Sequence, residues 1–167
     1  LYVYNEKAEG ELSENGYLYA APGRGLSFRN ESEDDVEFLI YKKKYLPING
    51  EKPWSVMSSV KEQFRRWNQE GLTCLELLPS DLVFDIAFNI LIFYPDRKHG
   101  FIEIHDQEHG AYLLSGEGSY YLDETWYPVR EKDFIWMAPY VSQGAYSCGN
   151  EKFSYLYSKD INRDVEL

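Results

Sequence analysis

Two stretches of this 167-residue chain match one another without a gap. Glu14-Asn-Gly-Tyr-Leu-Tyr-Ala-Ala-Pro22 aligns with Glu131-Lys-Asp-Phe-Ile-Trp-Met-Ala-Pro139, a displacement of 117 residues (Pro22 onto Pro139). At the same displacement Phe38-Leu-Ile-Tyr-Lys42 falls on Tyr155-Leu-Tyr-Ser-Lys159. Glu14, Ala21, Pro22, Leu39 and Lys42 are identical to their partners, and the aromatic and apolar positions mostly agree. A single register held from Glu14 to Lys42 marks an internal duplication. It also sets boundaries. Leu1 falls opposite Gly118, so the counterpart of everything before Gly118 lies ahead of the first residue, which is not a Met. The expectation is the back portion of a first β-domain over 1–50, an interdomain linker over 51–71 and a complete second domain over 72–167, with an upstream segment absent.

Each copy reads as strands. Val36 to Tyr41, Ala87 to Tyr94, Phe101 to His105, Ala111 to Leu114, Phe134 to Met137 and Phe153 to Tyr157 are short β-branched or aromatic runs bounded by Gly, Pro, Asp, Asn and Ser. Gly116-Glu117-Gly118 reads as a tight turn. Over Ser55 to Glu70 two readings stand: a short helix, with Val56, Val60, Phe64 and Trp67 at helical spacing, or an irregular linker. No apolar run is long enough to span a bilayer. The net charge of −11 argues against a nucleic-acid or anionic-membrane partner. Cys74 and Cys148 form neither a metal spacing nor a disulfide framework, so a reduced, cytoplasmic setting is expected.

Chemistry concentrates in Phe-Ile-Glu103-Ile-His105-Asp-Gln-Glu-His109-Gly, which holds two of the three histidines. Residues two apart on a strand share a face, so Glu103 and His105 project together, and His109 closes on them from the next strand. Imidazole nitrogen with carboxylate oxygen suits a divalent metal; a structural or solvated role for the triplet is about as common. The strand Phe134 to Met137 leads through Ala138-Pro139 to Gln143, which returns beside the histidines in a jelly roll and is a candidate fourth ligand. Its counterpart in the first copy is Leu26. His99 reads as a loop histidine near the pocket rim, and Asp106 and Glu108 as solvated neighbours. Tyr155 and Tyr157 share parity with Lys159 on the barrel lining; for them, as for Trp136 and Met137, core packing is the ordinary role. Lys159 is either a snorkelling surface lysine or a cation for a substrate carboxylate.

The spacing Glu103-x-His105-x-x-x-His109, followed by Gly116, resembles the first cupin motif with Glu in place of its first histidine. His109 stands where most cupins have glutamate, and Gln143 where the second motif has histidine. That permuted set is similar to the (S)-ureidoglycine aminohydrolase family, bicupins of purine (allantoin) catabolism. The likeness runs through residues 108–118, Trp126-Tyr-Pro-Val and Tyr157-Ser-Lys-Asp-Ile-Asn-Arg-Asp164. It implies an all-β cupin (jelly-roll β-barrel), a bicupin whose first domain is incomplete at its N-terminus. It further implies Mn²⁺ on Glu103, His105, His109 and Gln143, with other divalent metals compatible. Tyr120 and Lys159 are implied as substrate contacts, Tyr155 is a third substrate-binding candidate, and Glu103, Lys159 and Tyr120 are the catalytic candidates. A small ureide substrate and a homo-oligomer are expected. Asp96 and Lys132 depart from the family by occupying customary turn-glycine positions. An Fe²⁺-dependent oxygenase acting on a small carboxylate and a non-catalytic metabolite-binding cupin are the competing readings.

Overall fold

The computed structural model describes residues 1–5, 8–48 and 50–163. Strands β1 (Tyr2–Asn5), β2 (Ala8–Glu11), β3 (Gly16–Tyr19) and β4 (Leu26–Arg29) come from the first repeat. They are followed by β5 (Val56–Ser59), a 3-10 turn at Val60–Glu62, β6 (Arg65–Gln69), β7 (Leu72–Glu76) and β8 (Ile86–Phe93). The second repeat continues with β9 (His109–Ser115), β10 (Glu117–Leu122), β11 (Thr125–Arg130), β12 (Phe134–Met137), β13 (Gln143–Cys148) and β14 (Phe153–Asp160). A six-stranded sheet in the order β12-β9-β14-β8-β7-β6 faces a three-stranded sheet, β11-β10-β13. Side chains alternating inward from both sheets build one core that includes Leu91, Phe93, Leu113, Tyr120, Val129, Ile135, Met137, Phe153 and Tyr155. No helix among the described residues is long and apolar enough to cross a membrane.

The duplication holds in three dimensions. The first repeat builds its own three-stranded sheet, β2-β1-β4, and displacing it by 117 residues reproduces the register of β11-β10-β13. Tyr2↔Glu11 falls on Ser119↔Pro128, and Tyr4↔Ser27 falls on Tyr121↔Gly144. Left-handed backbone recurs at equivalent positions: Asn15 (φ 62°) with Lys132 (φ 72°), and Gly23 (φ 74°) with Tyr140 (φ 64°). Asp96 (φ 60°) is left-handed too. The turns at Asp96 and Lys132 thus keep a glycine-type conformation at a cost of about 1 kcal/mol each.

Three expectations from sequence need correction. Val36 to Tyr41 forms no strand, and Phe38, Leu39, Ile40 and Tyr41 are exposed. Its counterpart β14 is held between β8 and β9, whereas no strand among the described residues pairs with 36–41. A strand-like segment without neighbours has nowhere to place its backbone hydrogen bonds. Ser55 to Glu70 is neither a helix nor an irregular linker: β5 pairs with β3, and β6 is the edge strand beside β7. Phe101 to His105 contributes only an isolated bridge, Glu103 to Gln143.

Residues 43–46 dock the first repeat onto the second. Lys43 Nζ donates to Asp160 Oδ1 at 2.6 Å and to the Asp85 carbonyl at 3.2 Å. The buried Asp85 carboxylate accepts from Leu46 N at 2.9 Å. Arg163 donates to the carbonyls of Leu46 (2.7 Å) and Leu82 (2.8 Å). Asp164, which closes the terminal motif, lies outside the described residues. Asp85→Ala removes the acceptor of the Leu46 N–H, so a loss of about 1–3 kcal/mol is expected in urea unfolding. Asp160→Ala, at a partly exposed pair, should cost less than about 1 kcal/mol; the reverse order would contradict this account.

Candidate metal centre

Three strands deliver their polar residues to the same rim of the barrel. Along β14 the inward positions run Phe153, Tyr155, Tyr157, Lys159, and along the antiparallel β9 they run Leu113, Ala111, His109. Lys159 is paired with His109, and Tyr155 with Leu113. On β13 the inward positions run Ser147, Ala145, Gln143. Period-two alternation therefore gathers His109, Gln143 and Lys159 at one end of the barrel, with Leu113, Phe153 and Ser147 toward the other. Glu103 joins them from an irregular segment: its N donates to Gln143 O at 2.8 Å, and Gln143 N donates back to Glu103 O at 2.9 Å.

At this rim the Nε2 atoms of His105 and His109 lie 2.9 Å apart, and Gln143 Nε2 is 2.9 Å from His105 Nε2. Neighbouring ligands of an octahedral ion with bonds of about 2.1 Å are separated by about 3.0 Å, so this spacing suits a shared cation. Two imidazole nitrogens at this distance repel unless a proton or a cation lies between them. Burial first, then the charges of His105 and Lys159, push His109 down to about 3, which keeps it a neutral donor. His105 Nδ1 is buried without a hydrogen-bond partner. Gln143 turns its amide nitrogen toward the imidazoles. Ligation needs its oxygen there, a half-turn of the terminal amide that exchanges nearly isosteric atoms.

Glu103, His105 and Lys159 line a cavity of about 460 Å³, together with Phe101, Ile102 and Ile104. Among the described residues no three of His, Cys, Asp and Glu lie close enough together to form a metal cluster, so the Glu103 carboxylate does not close on the two imidazoles. Its charge nevertheless reaches into the barrel: it raises the pKa values of Tyr120, Tyr155 and Tyr157, adding to the larger effect of burial. Tyr120 Oη donates to Gln143 Oε1 at 3.2 Å and lies 3.3 Å from Met137 Sδ.

Of the residues singled out from sequence, His105 is thus in range of both His109 and Gln143, Tyr120 touches Gln143, and Glu103 and Lys159 share the cavity wall. Tyr155 is buried behind Tyr120 and contributes to the core. Met137 is core, whereas Trp136 is 59% exposed and bonds Glu108 through Nε1 at 3.3 Å. Trp136 is therefore not the core residue expected of it; as the outward position of an edge strand it alternates with buried Ile135 and Met137. The support around His109 was less legible. Tyr157 stacks on its ring (5.5 Å between centroids, 23° between planes) and is held by Asn89 Nδ2, which donates to Tyr157 Oη at 3.0 Å. The strand parity shared by Tyr157 and Lys159 was the available signal; nothing in the sequence ties Asn89 to Tyr157.

No family model matches the chain. Curated relatives do. The (S)-ureidoglycine aminohydrolase of Escherichia coli strain K12 is 47% identical over 168 residues, covering 96% of this chain and 64% of the relative. The crystal structure of protein Ylba from E. coli has a TM-score of 0.87 at 43% identity, covering 99% of this chain and 65% of that one. An RmlC-like cupin from Shewanella frigidimarina (TM-score 0.54, 16% identity, 64% of this chain and 91% of that one) is similar in fold alone. The chain thus spans about two thirds of the length of its E. coli relative. In sequence it is similar to the (S)-ureidoglycine aminohydrolases, and in fold it is built on the cupin barrel.

Proposed function

We propose that this chain carries the metal site of an (S)-ureidoglycine aminohydrolase, which hydrolyses (S)-ureidoglycine to (S)-ureidoglycolate and ammonia in purine catabolism. The carrying observation is the pair of imidazole Nε2 atoms 2.9 Å apart, with the Gln143 amide equally close to His105, opening on the cavity lined by Lys159. His105, His109, Gln143 and Glu103 are the ligands in this reading. Their mixture of nitrogen and oxygen donors suits Mn²⁺ and tolerates other divalent ions. Such an ion supplies Lewis acidity and a more acidic bound water.

The chain's own residues do the rest. Lys159 holds the substrate carboxylate by a charge-assisted hydrogen bond, with Tyr120 beside it and Tyr155 behind. Glu103 has a second role as carrier of a proton at the carbon where the C–N bond breaks and the C–O bond forms. Residues 1–50 are the back strands of a first cupin, 51–71 connect it to the second, and 72–167 are the metal-binding cupin. Free Cys74 and Cys148 suit a cytoplasmic enzyme, and pairing of barrels through their sheets makes a homo-oligomer the working assembly.

Titrating the metal-free protein with Mn²⁺ should raise its thermal midpoint, with about 2.7 kcal/mol of added stability at one hundred times the dissociation constant. Glu103→Ala and His109→Ala should each lose that shift and at least about 100-fold in ammonia release from ureidoglycine. Full activity in both variants would place the chemistry elsewhere, and oxygen uptake dependent on Fe²⁺ would identify an oxygenase instead. Tyr120→Phe leaves the Gln143 amide short of a buried partner, so urea unfolding should register a loss of about 1–3 kcal/mol. No change would mean that Tyr120 does not hold Gln143.

A further inference from the structure

His99 lies outside the ligand set, on the segment that runs beside β13. The N–H groups of Gln143, Ala145 and Ser147 all point toward this segment. Ser147 N donates to Arg97 O at 2.8 Å, and Gln143 N to Glu103 O at 2.9 Å. Ala145 N has no carbonyl acceptor there; it donates to His99 Nδ1 at 3.1 Å, while His99 N donates to Ala145 O at 3.0 Å. The imidazole has taken the place of its own carbonyl in the ladder.

This substitution coincides with a change of register. Arg97 is bonded to Ser147 and His99 to Ala145, so a regular antiparallel ladder would bring Phe101 opposite Gln143. Glu103 stands there instead. Gly100, Phe101 and Ile102 are displaced outward, leaving Phe101 71% exposed at the cavity mouth. Because the slip is of two residues, side-chain parity is preserved, and a carboxylate replaces a phenyl ring beside Gln143.

The same ring reaches the barrel interior. An Nδ1 that accepts from Ala145 N leaves the proton of the neutral imidazole on Nε2. That N–H faces Tyr155 Oη at 3.4 Å. Since His99 donates here, the Tyr155 hydroxyl can donate onward to Tyr120, its side-chain hydrogen-bond partner, which holds the Gln143 amide. If the amide is reversed, Tyr120 Oη accepts from its nitrogen and turns its own proton to Met137 Sδ, 3.3 Å away. The chain of donors serves either sense.

We propose that His99 is a positioning residue for the metal site. Through the backbone it sets the slip that places Glu103 beside Gln143, and through Tyr155 and Tyr120 it holds the Gln143 side chain at the rim in either sense of its amide. This rests on the reading of Glu103 and Gln143 as ligands, so the test includes a control for that reading. Metal-free protein and its variants are titrated with Mn²⁺ by calorimetry, well below their unfolding midpoints. His99→Asn keeps an acceptor for Ala145 N but cannot reach Tyr155; it should fold and bind Mn²⁺ about tenfold more weakly. His99→Ala loses both contacts and should fall by about 100-fold. Tyr155→Phe should match His99→Asn, and the double variant should be no weaker than either one.

Wild-type affinity in folded His99→Asn or His99→Ala, while His109→Ala loses binding, overturns the role of His99 alone. Wild-type affinity in His109→Ala overturns the metal site itself. If His99→Ala does not fold, His99→Asn and the cycle with Tyr155→Phe decide; additive losses in that cycle also overturn the proposal.

Discussion

The centre depends on one reciprocal backbone pair, Glu103 with Gln143. Each donates to the other's carbonyl, at 2.8 and 2.9 Å, and the pair ties an irregular segment to the first residue of β13. Without it Glu103 and His105 would belong to a surface loop, and the site would retain only the donors of β9, β13 and β14. The surrounding barrel can hold those three because strand alternation is enforced by burial. Moving Gln143 off the inner face would carry Ala145 and Ser147 with it, at the expense of the core. The rim geometry is thus a by-product of packing, whereas the contribution of Glu103 comes from two hydrogen bonds and a local slip.

The duplication shows how the same scaffold can be given different interiors. At the positions of Tyr120, Gln143, Tyr155 and Tyr157 the first repeat carries Val3, Leu26, Phe38 and Ile40. Each of these four polar groups is replaced by an apolar one, while Lys42 still matches Lys159. Strand register and left-handed turn positions are nevertheless retained. Backbone geometry and site chemistry are therefore separable in this fold, as expected when function resides in a few inward side chains. The two repeats are tied together where the Lys43–Leu46 segment meets Asp85, Asp160 and Arg163, one residue from Lys159. The clamp and the cavity thus share the end of β14.

The strands of the second repeat were legible because their apolar runs are long, period-two and bounded by turn residues, as in Phe153 to Tyr157 and Phe134 to Met137. The misreadings share one cause. Among the described residues Val36 to Tyr41 has strand chemistry but pairs with no strand, and Ser55 to Glu70 has apolar residues at helical spacing but pairs with β3 and β7. In both, partners far away in sequence outweighed local pattern. Trp136 shows the same on a smaller scale: its type suggests a core, and its place on an edge strand exposes it.

By itself the sequence determined the all-β class, the repeat and its register, and singled out Glu103, His105, His109 and Gln143 as candidate donors, because alternation and motif spacing are local properties of the chain. Only the tertiary structure decided that His105, His109 and Gln143 meet within 2.9 Å contacts, that Tyr157 and Asn89 support His109, and that His99 bonds β13 and Tyr155. Those relations join residues as far apart as Asn89 and Tyr157. They exist because closing the barrel brings remote strands side by side, and no local pattern encodes that closure.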